Sequence, residues 1–332
     1  MFIAKFLSLL SYAHTMFRVA YHPRYNLGFP GAGRLHPFDL RKYARAWQVL
    51  KKSLGRKLQE AHLPVTEPIN DEQLALVHTK QYLKSLRTSG VVAQALEVPS
   101  LRRAPWWMLD RFVLQPMRWA TAGTIIAAKA ALQHGLAFNL GGGFHHAKPN
   151  AGEGFSIYND IALMVRVLRQ SGQLAETNRV AYIDLDAHQG NGVACCFRDD
   201  PRVFLFDIHN GAIYPFLDLE ARERIDCLLP IRSGLRGEAY LSLLRERLPP
   251  FLDSVSHSAT VGLAIYNAGT DVLEGDPLGG LSLSMDDVLA RDRFVLETFR
   301  ERKLPAVVLT SGGYTPVSYQ AVAQMILAAA EH

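Results

Sequence analysis

Five short apolar runs constrain this chain most: LAFNL at 136–140, VAYIDL at 180–185, VFLFDI at 203–208, TVGLAIY at 260–266 and PAVVLT at 305–310. They lack polar alternation, the pattern of strands buried on both faces in a parallel sheet covered by helices. Helical stretches at about 158–171, 237–247, 285–300 and 317–330 separate most of them. No repeat, linker or low-complexity segment divides the 332 residues, so the pattern predicts a single α/β domain with a central, mostly parallel sheet flanked by helices. Upstream, Tyr43, Trp47, Leu50, Leu54 and Leu58 recur at helical spacing, and 117–134 reads as a helix stopped by Gly135 at its C-cap. Asp71 is placed to cap a short helix through EQLALVH. Residues 97–116, with Pro99, Pro105, Pro116 and the Trp106–Trp107 pair, read as a loop or broken segment.

Each apolar run ends in glycine and polar residues: GGGFHH, DLDAHQGNG, DIHNGAIYP, NAGTDVLEGDPLGG and TSGGY. Open parallel sheets bind ligands at the carboxyl ends of their strands, so these exits should converge on one rim. In an extended YIDLDAHQGNG, Asp184, Asp186 and His188 share a face. An isolated DxDxH can also be a capping aspartate beside a surface histidine. Asp271, at another glycine-bearing exit, tips the reading toward a bound cation. Two carboxylates and one imidazole suit a borderline divalent metal such as Zn²⁺, with positions left open for water and substrate. Cys195 and Cys196 lack ligand spacing and read as core residues of the following helix.

His145 and His146 are neighbours whose side chains should diverge, so both are not expected on one metal. The glycines before them let backbone approach a ligand. Beside an activated water, histidine is the residue suited to act as general base and then acid near neutral pH. Tyr314, after Gly312 and Gly313, offers a phenol able to donate to an oxyanion.

The net charge of +5 is spread without a long basic tract, which leaves no footprint for nucleic acid. Three cysteines (Cys195, Cys196, Cys227) without a CxxC argue against a disulfide framework and for a reducing, cytoplasmic setting. The opening MFIAKFLSLLSYAHTMF carries one charge, Lys5, and no small-residue cleavage site. Its uncharged run from Phe6 to Phe17 is 12 residues long, too short for a membrane span. Residues 1–17 are therefore taken as an N-terminal extension, with an interfacial anchor as the minor alternative, and 18–332 as the catalytic domain.

The set GGGFHHA…GFSIYNDI, YIDLDAHQGNG, YNAGTD…GDPLGGLSLS and TSGGY resembles the zinc-dependent histone deacetylase superfamily, nearest its class IV branch. The resemblance also takes in YNLGF, LHPFD and VHTKQYL early in the chain. It implies an arginase/deacetylase-like domain on a sheet of about eight strands, and hydrolysis of the amide of acylated lysine side chains. By motif, Asp186, His188 and Asp271 would hold zinc. His146 would be the main general base and acid, His145 would be oriented by Asp184, and Tyr314 would stabilise the oxyanion. Gly154, Phe155 and Tyr214 would line the tunnel for the acyl-lysine stem. A structural potassium ion would lie among Asp184, Asp186, His188, Asp207 and Ile208. Asn191 and Gln189 stand where most relatives carry aspartate and histidine, as in class IV, and that branch implies a preference for long fatty acyl chains. A neutral Asn191 should stabilise a His146 imidazolium less than a carboxylate would, which predicts a lower His146 pKa.

Three other readings remain. A small-molecule amidohydrolase of the acetylpolyamine type would carry an acidic gate at the tunnel mouth, which the sequence does not locate. A binuclear manganese ureohydrolase would need further aspartates near Gln189 and Asn191. A catalytically silent acyl-lysine binding protein would have lost a ligand or the tyrosine, and all are present.

Overall fold

The structure, a computed structural model, describes residues 17–27, 39–257 and 259–331. The expected extension, apart from Phe17, lies outside the described residues, as do Gly28 and Phe29 of YNLGF and all of LHPFD except Asp39.

Eight strands form one wholly parallel sheet in the order β2-β1-β3-β8-β7-β4-β5-β6. The five apolar runs supply β3 (Leu136–Asn139), β4 (Arg179–Asp184), β5 (Val203–Asn210), β7 (Val261–Asn267) and β8 (Ala306–Leu309). Their side chains are almost all buried, as a sheet covered on both faces requires. The other three strands gave no apolar signal because they are short or lie at an edge. They are β1 (Arg18–Ala20), the two-residue β2 (His62–Leu63) and β6 (Cys227–Ile231), which is half-buried and contains Pro230.

Register places the strand ends level. Asp184 pairs with Asp207 on one side and Asn267 on the other, Asn267 pairs with Leu309, and Leu309 pairs with Asn139. The central strands therefore release their polar exits at one height on one rim.

Helices cover both faces. Gln115–His134 ends at Gly135, whose φ of 89° and N–H to Ala131 O form the expected C-cap. Asp160–Gln170 is capped by the Asn159 side chain, and Met285–Glu301 by a Ser284–Asp287 capping box. Several boundaries differ from the sequence reading. The cap near 71 is Asn70, in a capping box with Gln73, and Asp71 is the first helical residue of Asp71–Leu74. The helix from Gly237 runs through Pro249 and Pro250 to Ser256, because Leu244, Leu248, Phe251, Leu252 and Val255 keep one stripe buried.

The segment 97–116 is helical rather than a loop: Pro99–Arg103, Trp106–Leu109 and Asp110–Leu114 run on into Gln115–His134. Pro99 and Pro105 stand at helix starts, where the missing N–H has no partner to lose, and Pro116 directly follows the wider π turn Asp110–Leu114. No helix among the described residues is long and apolar enough to cross a membrane.

Candidate metal and acid–base site

The exits of β4, β7 and β8 meet. Nδ1 of His188 lies 3.1 Å from Asp186 Oδ1 and 2.9 Å from Asp271 Oδ2. All three residues are buried, and their ligand atoms lie within 4.8 Å of one another. Bonds of about 2.0–2.2 Å around a tetrahedral ion separate its ligand atoms by roughly 3.4 Å. The trio therefore fits a single divalent cation through Nδ1 of the histidine.

Other groups fix this trio. Asp186 Oδ2 accepts from Ser311 Oγ at 2.9 Å and Gly312 N at 3.0 Å, and Asp271 Oδ1 accepts from Ala187 N at 2.9 Å. A Cβ on Gly312 would stand 2.4 Å from Asp271 Oδ2, so only glycine lets the β8 exit close over the carboxylates. Without a cation, the carboxylates outweigh the cost of burying charge on His188 and raise it to about 10.

The β3 exit brings the histidine pair to the same place. Asp160 accepts from Gly143 N and Phe144 N at 3.0 and 2.8 Å and pins the glycine turn. The two imidazoles do not diverge as the sequence suggested. Gly142 and Gly143, both at φ 75°, turn the backbone so that the rings lie 4.0 Å apart.

Their partners differ. His145 Nδ1 is 2.7 Å from Asp184 Oδ2, while His146 Nδ1 is 2.8 Å from Asn191 Oδ1. Burial alone would lower both. For His145 the carboxylates of Asp184 and Asp186 win and hold it at about 9. For His146, burial and the positive neighbours His145 and His188 push it well below 6.5, and the Asn191 hydrogen bond returns only part. The pair is thus backed unequally, His145 by a carboxylate and His146 by an amide.

Tyr314 stands across from the histidines, 6.5 Å from His188 and 5.9 Å from Phe155 between ring centres. Burial, then the charges of Asp271 and Asp186, raise its phenol well above 10, so it remains a hydrogen-bond donor. Tyr214 packs edge-on to His146 at 5.0 Å, and Gly154 lies flush against the same ring. A cavity of about 110 Å³ opens from His145, His146, Asp186 and Tyr314, past Gly154 and Phe155. It extends among Leu27, Leu40, Val98, Leu101, Val113 and Met117.

The Histone deacetylase domain profile matches residues 36–330. This chain belongs to the histone deacetylase family. Histone deacetylase 2 of Arabidopsis thaliana is 40% identical over 310 residues, covering 93% of this chain and 77% of that protein. An uncharacterised Picosynechococcus protein is 34% identical over 298 residues, covering 90% of this chain and 92% of its own. The crystal structure of an HDAC homolog complexed with SAHA aligns at a TM-score of 0.73 with 25% identity, covering 95% of this chain and 84% of that one. The HDA15 HD domain aligns at 0.72 with 19% identity, covering 95% and 90%, and speaks for the fold alone.

Within this histone deacetylase fold, the residues singled out from sequence gather at one place. Asp207, level with Asp184 on β5, accepts from Gly190 N, and Ile208 follows it. Cys195 and Cys196 close the short helix Asn191–Cys196 and are half-buried. Five residues that the sequence reading passed over also build the site. Lys42 is wholly buried and donates to the carbonyls of Thr310, Ser311 and Gly312. Asn267 donates to Asp184, and Asp276 accepts from Tyr314 N at 2.8 Å. Arg291 reaches the backbone of two exits, and Glu153 reaches Asn191. Asn267 and Asp276 stand inside the motifs YNAGTD and GDPLGG and could have been found there, whereas Lys42 and Arg291 are single charged residues on helices with no motif around them.

Proposed function

We propose that this protein is a zinc-dependent deacylase of lysine side chains, a member of class IV within its family. The observation that carries the reading is the Asp186–His188–Asp271 trio facing His146 and Tyr314 across one cavity. Zinc held by the trio would supply Lewis-acid polarisation of the amide carbonyl and a more acidic water.

The chain's own residues do the rest. Nε2 of His146 takes a proton from the attacking water and returns it to the leaving amine, while His145, charged and braced by Asp184, stabilises developing negative charge. The Tyr314 hydroxyl donates to the carbonyl oxygen as it becomes an oxyanion. Gly154, Phe155 and Tyr214 hold the aliphatic stem of the acyl-lysine against the histidine pair. We also place a structural potassium ion among Asp184, Asp186, His188, Asp207 and Ile208. Two buried carboxylates level with each other on neighbouring strands support it, since a cation relieves their repulsion.

The apolar extension of the cavity supports the preference for long acyl chains, because a polar solute gains nothing from such walls. The acetylpolyamine reading has one observation in its favour. Glu97, at φ 56°, and Glu153 flank Gly154 and place acidic groups beside the cavity wall. We place the protein in the cytoplasm on its unpaired cysteines.

Metal analysis of the purified protein, combined with an acyl-lysine peptide series from acetyl to myristoyl and an N-acetylated diamine, tests these readings together. The expected result is about one zinc per chain and turnover that rises with acyl length. A protein without metal, or an Asp186→Ala variant as active as the parent, would sink the proposal.

A further inference from the structure

Asn191 has His146 on one side and two carboxylates on the other. Its Nδ2 lies 2.9 Å from Glu153 Oε1 and 3.3 Å from Asp218 Oδ2. Lys148 Nζ closes the group at 3.0 Å from Glu153 and 2.8 Å from Asp218. Ionised carboxylates accept hydrogen bonds and do not donate them, so the amide end that faces them has to be the NH₂ group. Oδ1 is thereby turned to His146, and an amide oxygen 2.8 Å from Nδ1 demands a proton on that nitrogen.

Packing cannot make this choice. Gly154 and Tyr214 confine the His146 ring, yet turning the Asn191 amide over leaves its shape unchanged. Only the charges behind it distinguish oxygen from nitrogen. In relatives with an aspartate at this position no such choice arises, since both of its oxygens accept.

We infer that Glu153 and Asp218, tied together by Lys148, are positioning residues that set the tautomer of His146 through Asn191, keeping the proton on Nδ1 and the lone pair on Nε2. This rests on the reading that His146 takes the proton from water, a step that needs Nε2 unprotonated. Lys148 pairs with both acids, and at Asp218 burial is outweighed by the hydrogen bonds of Lys148, Ala221 N and Asn191 together with the charge of Lys148, which hold it below the usual carboxylate range. The three side chains are partly exposed, so they can be changed without opening the core.

The test is the pair Glu153→Gln with Asp218→Asn in the zinc-loaded protein, where neutral amides no longer tell Asn191 which way to face. Turnover should fall roughly tenfold as the competent tautomer becomes a minor species, with KM within about twofold. Long-range nitrogen–proton NMR of isotope-labelled histidine, with His146 assigned by His146→Gln, should show Nδ1 protonated in the parent and a mixture in the pair. In an Asn191→Asp background the same pair should cost less than about twofold, because a carboxylate has no amide to turn.

Unchanged turnover with Nδ1 still protonated in the pair would overturn the inference. An equal loss in the Asn191→Asp background would overturn it too, since the loss would then not run through the amide. The NMR readout needs no turnover. A His146→Gln protein as active as the parent would remove His146 from the mechanism while leaving its tautomer measurable.

Discussion

The ammonium of Lys42 lies 2.5 Å from the carbonyl oxygen of Ser311, inside the protein and with no solvent access. Thr310 O at 3.2 Å and Gly312 O at 2.9 Å complete the set, so one lysine ties down the backbone immediately before Tyr314. Burial lowers Lys42 to about 8, against the pull of Asp271, Asp186 and Asp276. Lys42→Met would take the donor from the carbonyls of Thr310 and Ser311, each costing about 1–3 kcal/mol where it stays buried, while Gly312 O keeps Thr270 N and Oγ1. The expected outcome is a drop in kcat of at least roughly tenfold, as Tyr314 loses its fixed position, with KM little changed. Steady-state kinetics beside a thermal melt check this, and a variant with parental kcat would refute the clamp.

Arg291 links the two strand exits that carry the carboxylates. Its Nη1 donates to Leu185 O at 3.0 Å and to Gly269 O at 2.8 Å, the residue before Asp186 and the residue two before Asp271. Asp292, which also accepts from Tyr266, pairs with the same guanidinium. Arg291→Lys keeps the charge but loses the planar fork that holds both carbonyls through Nη1 and Asp292 through Nε at once. Zinc affinity should fall roughly tenfold or more, as for other supports of metal ligands. Competition with a chelator measures it, and unaltered resistance to the chelator would show that the exits hold themselves.

Much of this was legible in the sequence, and the division has physical causes. The five central strands announced themselves because burial on both faces leaves only apolar residues, and the metal trio because ligands cluster at glycine-rich exits. β6 did not, since an edge strand with a proline and half-exposed side chains resembles a loop. Nor did 97–116, where prolines at helix starts looked like breaks. Lys42 and Arg291 were invisible because their partners are backbone carbonyls far away in sequence, which no motif records.

His78 gives a pH dependence of stability. It is buried, its Nδ1 faces Lys148 O at 3.1 Å, and its Nε2 accepts from Asn159 N at 3.0 Å. The ring is thus held neutral, and burial lowers it to about 4 from 6.5. Between those values the unfolded chain binds a proton that the folded one does not. Stability present above pH 6.5 is therefore lost as pH falls toward 4, by up to about 3 kcal/mol. Urea unfolding at pH 7 and pH 5 should show the slope, and His78→Gln should flatten it in that window. A variant with the parental slope would assign it to other groups.

Asn191→Asp replaces an amide oxygen with a carboxylate opposite Nδ1 of His146, now 2.8 Å away. The opposite charge should favour the imidazolium, so the acidic limb of the kcat/KM profile should move to higher pH. The surroundings moderate the change. Glu153 and Asp218 already stand within hydrogen-bond reach of this side chain, and Lys148 is the cation paired with both. A third carboxylate among them is disfavoured as an anion, which offsets part of the pull on His146. The shift should therefore grow when Glu153→Gln is added, because one competing negative charge is gone. A limb that stays in place in both proteins would mean that His146 is not the group whose titration the profile reports.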